Sequence, residues 1–260
     1  MKKALGISLF VIILLGLLTG AGFLLHNYFN DSLKGVNISI TRNVDDGFIN
    51  YEEIYNIVVD ICDTTNNKHI ISIPVDSINK VLWTNPWVTD VRTLIDLNSV
   101  LNVQLVECEP IVRIYNDKNK SVYIDEDGDI FPVDNQYVPR LLIGNGFLDF
   151  PSDKYGNISD EVYLNTDLPV IFEVMKAVLN NDFSRSCVKQ VYFDKNKNFK
   201  FSMNNTDIIV IFGDDNNIDD KLVKMEQFFL KMQGNPELDN FKEININFNN
   251  QVVCTKHKLR

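Results

Sequence analysis

Few residues in this chain are spaced for covalent chemistry. His26, His69 and His257 lie in different regions, and no Gly-x-Ser-x-Gly elbow, His-Glu-x-x-His pair, phosphate-loop lysine or Cys/His arrangement accompanies them. Cys62, Cys108, Cys187 and Cys254 stand far apart, with no Cys-x-x-Cys pair and no histidine at ligand spacing, so structural zinc is not expected. Whether two of them form a disulfide turns on spatial distance and compartment; four small buried hydrophobes is the competing reading. Asp125, Glu126, Asp127 and Asp129 gather carboxylates, yet Gly128 falls too early for a calcium loop and no glutamate closes it, so a tight turn is expected. Gly144-Asn145-Gly146 lacks the third glycine, the lysine and the following helix of a phosphate loop, and reads as a plain loop. What remains is the chemistry of association. Ile244, Ile246 and Phe248 alternate with Asn245 and Asn247, and Val252-Val253 follow an Asn-rich break, as terminal strands would. An unpaired strand edge presents N–H and C=O groups that an incoming strand satisfies. Phe248 faces either the core or such a partner, since one aromatic in an alternating run does not fix the wet face.

Charge and composition narrow the partners. A net charge of −10 and an isoelectric point near 4.8 leave no basic face to release counterions from a phosphate backbone, which excludes nucleic acid. At 260 residues, 45% hydrophobic and 11% aromatic, the apolar content suffices for an anchor and one or two small cored domains. From Ala4 to Leu25 no residue is charged, and a helix of about 22 residues rises roughly 33 Å, enough for the hydrocarbon core. A cleaved leader is the alternative, with Thr19-Gly20-Ala21-Gly22 as its small-residue site, but a leader's apolar region is ordinarily about 7–15 residues. The sequence therefore reads as a transmembrane helix over 4–25. Lys2 and Lys3 keep the tip, residues 1–3, in the cytoplasm, and everything from roughly His26 onward, beginning with a linker over 26–34, lies on the other side. ATP is scarce there, which disfavours a kinase or an ATPase.

Two sets of elements follow. In the first, Val36, Ile38 and Ile40 share one strand face, Asn50 and Glu53 have the capping-box form, and Ile54, Ile57, Val58 and Ile61 make a helical stripe. Pro74 opens a shorter helix with Ile78, Val81 and Leu82 inward, stopped by Asn85-Pro86. Strands around Trp87–Leu97 and Val100–Glu107 are joined by a hairpin near Asn98. Two helices are thus expected on one face of a three-stranded sheet. In the second set, Ile111–Tyr115, Ser121–Ile124 and Ile130-Phe131 are short strands, the last two turned by Asp127-Gly128. Pro169 opens a helix with Ile171, Val174, Met175 and Val178 on one stripe; Val188–Phe193, Phe199–Met203 and Ile208–Phe212 read as an antiparallel meander. A last helix over Ile218–Met232 has Asp214, Asp215, Asp219 and Asp220 at its positive end and Leu222, Met225, Phe229 and Met232 inward. That stripe lasts about two heptads, short of a coiled coil.

On these residues the sequence resembles the FtsQ/DivIB family of bacterial cell-division proteins. The order of elements in the first set, the Asn85-Pro86-Trp87-Val88 turn and the Glu107-Cys108-Glu109-Pro110-Ile111 exit are similar to that family's POTRA domain. Tyr123, Asp125, Gly128, Phe131 and Pro132, followed by Pro139-Arg140-Leu141, match a run common in its second domain, and Phe241 to Lys256 resembles its final strands in a Bacteroidota-like form. The resemblance implies an α+β chain: transmembrane helix, POTRA-like βααββ domain over 35–109, β-rich domain over 110–256 with two helices packed on an antiparallel sheet, and a tail over 257–260. It implies a non-enzymatic scaffold in the inner membrane, its bulk periplasmic, at the division septum. The implied partners are FtsB- and FtsL-like single-pass division proteins and the septal peptidoglycan synthase complex. Ile246, Phe248, Asn250, Gln251 and Val253 would be the contact residues, with no cofactor. An anchored extracytoplasmic hydrolase or sensor, and a POTRA chaperone for outer-membrane clients, are the competing readings.

Overall fold

The computed structural model describes residues 2–43, 46–63, 69–133, 137–249 and 251–257, and in the first helix the side chains of Phe10, residues 12–26 and Tyr28. Two compact units divide the chain, Met1–Cys108 and Glu109–Arg260.

The first unit begins with α1, Lys2–Asn30. Among the described residues no helix is long and apolar enough to cross a membrane; the described side chains of α1 run unbroken only over 12–26. A helix does cover 4–25, and its described apolar side chains find no cover in the unit, with Phe10 and Leu17 67% and Leu24 70% exposed. Beyond it come β1 (Gly35–Thr41), α2 (Tyr51–Asp63), a 3₁₀ turn (Ile70–Ser72), α3 (Val75–Leu82), β2 (Val88–Ile95) and β3 (Val100–Glu107). The sheet runs β1-β3-β2, with β1 parallel and β2 antiparallel to the central β3.

Local chemistry sets each boundary. Asn50 Oδ1 accepts the N–H groups of Glu52 at 2.9 Å and Glu53 at 3.3 Å, meeting two donors that the first turn of α2 leaves over. Ile54, Val58 and Cys62 of α2 and Ile78 and Leu82 of α3 are buried, as are Leu101, Val103 and Leu105 of β3. Each such Leu, Ile or Val contributes about 1.5–3 kcal/mol. Val81, expected inward, is 40% exposed; α3 is only eight residues long, and its inner face is filled by the i, i+4 pair Ile78 and Leu82 alone. Glu107 has a role the sequence does not announce: its buried carboxylate accepts from Phe48 N at 2.7 Å and Ile49 N at 3.2 Å and lies 3.6 Å from Arg42, pinning the loop that leads into α2.

The second unit comprises β4 (Pro110–Tyr115), β5 (Ser121–Asp125), β6 (Asp129–Phe131), β7 (Leu142–Gly146), β8 (Gly156–Asn157), α4 (Glu161–Leu164), α5 (Leu168–Asn180), α6 (Asp182–Cys187), β9 (Val188–Phe193), β10 (Phe199–Met203), β11 (Ile209–Gly213), α7 (Ile218–Met232), β12 (Phe241–Asn245) and β13 (Val253–Lys256). Its strands form one ten-stranded sheet in the order β13-β12-β11-β10-β9-β7-β4-β5-β6-β8. Where an antiparallel sheet with two helices is expected, the sheet is mixed: β4–β7, β7–β9 and β11–β12 are parallel pairs. Parallel neighbours need crossovers, and α4 to α6 and α7 lie in two of them. The hydrophobic core takes Ile171, Val174, Met175 and Val178 from α5 and Phe193, Phe199, Phe201 and Phe212 from the sheet, all at most 2% exposed.

Gly144-Asn145-Gly146 is the clearest departure from expectation. It is not a loop but the second half of β7, between β4 and β9. Both glycines are there for closeness: a Cβ on Gly144 would press on Met175 Sδ, and one on Gly146, at φ +130°, would run into the backbone of Phe193. Asparagine and glycine disguise a strand that packs against its neighbours by backbone rather than by side chains.

Candidate partner-binding edge

The C-terminal border of the large sheet is built by β11, α7, β12 and β13. β12 runs parallel to β11, Ile209 opposite Glu243 and Ile211 opposite Asn245, and α7 is the crossover between them. Leu222 and Met225 bury the helix in the core of the unit. Its entry is held by Lys221, whose side chain is 8% exposed and whose ammonium donates to Asp214 O at 2.9 Å and Asp214 Oδ1 at 2.5 Å. A buried ammonium is tolerated only with such partners. Hydrogen bonds from Lys221 and then Asn216 hold the Asp214 carboxyl below the usual carboxylate range.

β12 stops at Asn245, before the point to which the alternation through Phe248 extends. Ile246 still turns inward, fully buried, and donates its N–H to Ile211 O at 3.0 Å. The chain then leaves the sheet. Lys224 of α7 donates to Ile246 O at 2.9 Å and Phe248 O at 2.8 Å, and the Asn247 side chain lies against Gly213, whose φ of +88° and missing Cβ make room for it. Phe248 is consequently neither core nor strand: it sits on an exposed bend, 45% accessible.

The chain returns as β13, antiparallel to β12, with Asn245 opposite Val253 and Ile244 opposite Cys254. His257 donates its N–H to Asn240 O at 2.9 Å, so the two-residue alternation of a strand turns the backbone groups of Thr255 and Val253 toward β12 and those of Lys256 and Cys254 toward the open border. Val252 and Cys254 pack on the core, and burial pushes the Cys254 thiol up, keeping it protonated at neutral pH. Val253 is 43% exposed. Beside the border a groove of about 540 Å³ opens between α7 and the return segment, walled by Val223, Lys224, Phe228, Lys231, Gln251 and Val252.

A family model described as FtsQ/DivIB, C-terminal related, matches residues 109–255, more than half of the chain and nearly all of this unit. The chain belongs to the FtsQ/DivIB family. No curated protein matches it. Membership makes it a cell-division protein, and the family implies the division septum. Of the five contact residues named for this FtsQ/DivIB chain, the structure places Gln251 and Val253 at the border and Phe248 exposed beside it. Ile246 is wholly covered within the core of the unit. Asn250 lies outside the described residues. Of the two ends named for the expected anchor, Leu25 is 56% exposed, and Ala4 is in the helix. Sequence reasoning missed Val223, Lys224 and Phe228; the signal was Val223, an apolar residue on α7 one position out of register with Leu222, Met225 and Phe229. Among the described residues no three His, Cys, Asp or Glu side chains cluster as metal ligands do.

Proposed function

We propose that this FtsQ/DivIB protein is a non-enzymatic, single-pass scaffold of the division apparatus. α1 anchors it over 4–25, its first unit is a POTRA domain, and its second pairs along β13 with an extended segment of a bitopic division protein of the FtsB or FtsL type, supporting septal peptidoglycan synthesis outside the cytoplasm. One observation carries the reading. Among the described residues β13 ends a ten-stranded sheet with no strand beyond it, and Val253, Phe248 and the α7 groove lie next to that border. Backbone pairing supplies affinity in such strand addition, and flanking pockets supply choice. The βααββ order with a central β3 supports the POTRA reading, and the uncovered apolar surface of α1 supports the anchor.

The test separates the border from the fold. Lys256→Pro removes a donor that faces outward while leaving the bonds from β13 to β12, because proline lacks only its own N–H. In the full-length chain it is expected to weaken capture of a purified FtsB-type partner by about tenfold, roughly 1.4 kcal/mol, with little change in the urea midpoint. Phe248→Asp should weaken capture as well. Undiminished capture by Lys256→Pro would remove strand addition at β13 as the mode of binding.

A further inference from the structure

We infer that the end of the first unit nearest α1 is a lipid-contacting surface, in which Leu97 at the β2–β3 turn and Ile71 in the 3₁₀ turn enter the head-group layer beside the anchor. This rests on the proposed reading of α1 as a membrane anchor. The last turn of α1 and the chain leaving it are bonded to both turns. Tyr28 Oη donates to Asp96 O at 2.9 Å, Lys34 N to Ser99 O at 2.8 Å and Ser99 Oγ to Asp31 Oδ2 at 2.9 Å, while Ile70 N donates to Asp31 O at 3.0 Å and Ser32 forms a β-bridge with His69. The folded unit therefore does not hang on a free linker; its base is seated on the helix end.

Geometry then sets the depth. Tyr28 is three residues past Leu25, about 4.5 Å of helix rise. The zone between hydrocarbon and water is about 5–8 Å thick on each side of a bilayer. A turn bonded to Tyr28 falls inside that zone if Leu25 marks the end of the apolar stretch. Tyrosine favours the same level, with its ring toward the acyl chains and its hydroxyl toward polar groups. The side chains at this end suit it too: Leu97 is 88% exposed and Ile71 70%, and Leu94 follows at 49%. Single exposed leucines are ordinary. Here Leu97 and Ile71 lie on turns bonded to the end of α1, whose Phe23, Leu24 and Leu25 are 65%, 70% and 56% exposed, and the charged pair at this end, Lys34 with Asp31 at 2.9 Å, is itself solvent-exposed. The occupant that suits apolar tips joined to a polar collar is a phospholipid layer.

The full-length chain is reconstituted into phosphatidylcholine vesicles without brominated lipid, with lipid brominated near the glycerol end of the acyl chain and with lipid brominated near its methyl end, and tryptophan emission is read. The native Trp83 and Trp87 lie at the other end of β2 and give the background. Leu14→Trp reports on α1, Leu97→Trp on the turn, and Val106→Trp, 38% exposed at the far end of β3, on non-specific adhesion. The expected result is loss of the added emission by brominated lipid for Leu14→Trp and Leu97→Trp but not for Val106→Trp. Quenching of Leu14→Trp without Leu97→Trp overturns the inference and leaves the anchor standing. Quenching of Val106→Trp to the level of Leu97→Trp also overturns it, since contact is then not confined to the base. Quenching of neither Leu14→Trp nor Leu97→Trp removes the anchor and this surface with it.

Discussion

The two borders of the large sheet end in opposite ways. At one, β8 is two residues long, Asn157 Nδ2 donates to Asp127 O at 3.0 Å and Asp129 Oδ1 at 2.8 Å, and Ile158 N donates to Gly128 O at 2.8 Å. The chain's own side chains and backbone take up the groups that β6 would otherwise present. At the other, β13 runs four residues and, among the described residues, has no strand paired to its outer side. Natural sheets blunt their edges to prevent indiscriminate pairing, so a blunted border opposite an open one supports the reading that the open one serves a partner. Lys256 on the open border also sets like charges against each other when two copies approach edge to edge.

The contrast breaks most sharply at Gly213. Its φ of +88° and the Asn247 side chain above it allow the chain to leave β12, turn and come back as β13. Gly213→Val forces a branched side chain into the left-handed region and into Asn247. It is expected to cost about 1–3 kcal/mol in urea unfolding and to lower hydrogen-exchange protection of β13 while β5 and β6 keep theirs. Equal loss of protection at both borders would show that they are one cooperative unit and that β13 is not positioned separately.

That glycine also shows where the sequence is legible. Periodicity announces α2, α5, α7 and the β9–β11 meander because each buries a continuous apolar stripe, and the boundaries of α7 follow from acidic residues at its start and Gly234 beyond its end. It does not announce β7, whose Gly144 and Gly146 are in the sheet for closeness rather than for side-chain burial. Nor does it announce the exit after Asn245: the alternation Ile244, Ile246, Phe248 continues, but two bonds from Lys224, distant in sequence, divert the backbone. Strand order is likewise hidden, since β7 pairs with β9 only after α4 to α6 have crossed over. At the border, the terminal strand was readable from alternation; which of its residues are wet was not, because that depends on where the strand ends.

A smaller effect is expected at the closed border. Asn157→Ala removes the side-chain bonds to Asp127 and Asp129 and the one accepted from Ser159 at 3.0 Å. These are solvent-exposed, so the loss should be about 1 kcal/mol. Partner capture should stay as it was, while the uncovered edge of β6 raises self-association, read by sedimentation. A fall in capture equal to that of Lys256→Pro would mean that the partner reaches both borders, and their difference would lose its functional meaning.

The smallest effect distinguishes the borders by acid. Asp214, at the entry to α7, has its carboxyl pKa lowered by the Lys221 and Asn216 hydrogen bonds. A lowered value in the folded chain contributes stability above the unfolded carboxylate pKa of about 3.9, and that contribution is lost as pH falls through the lower folded value. Asp125, at the closed border, is shifted the other way, raised first by burial and then by the charges of Asp129 and Asp127. Its charged form opposes folding at neutral pH, and protonation relieves this as pH falls from above the raised value to below about 3.9. Acidification should therefore loosen the α7 entry and firm the β5–β6 turn. The Asp214 side chain is 47% exposed, and screening by solvent keeps its share below about 1 kcal/mol. Urea midpoints from neutral pH down to pH values below the carboxylate range give the measurement: the deficit of Asp214→Asn against the unsubstituted chain should shrink on acidification, and the advantage of Asp125→Asn should shrink with it. A deficit for Asp214→Asn that does not change with pH would show that it does not come from the carboxylate's charge, leaving the open border without an acid-sensitive support.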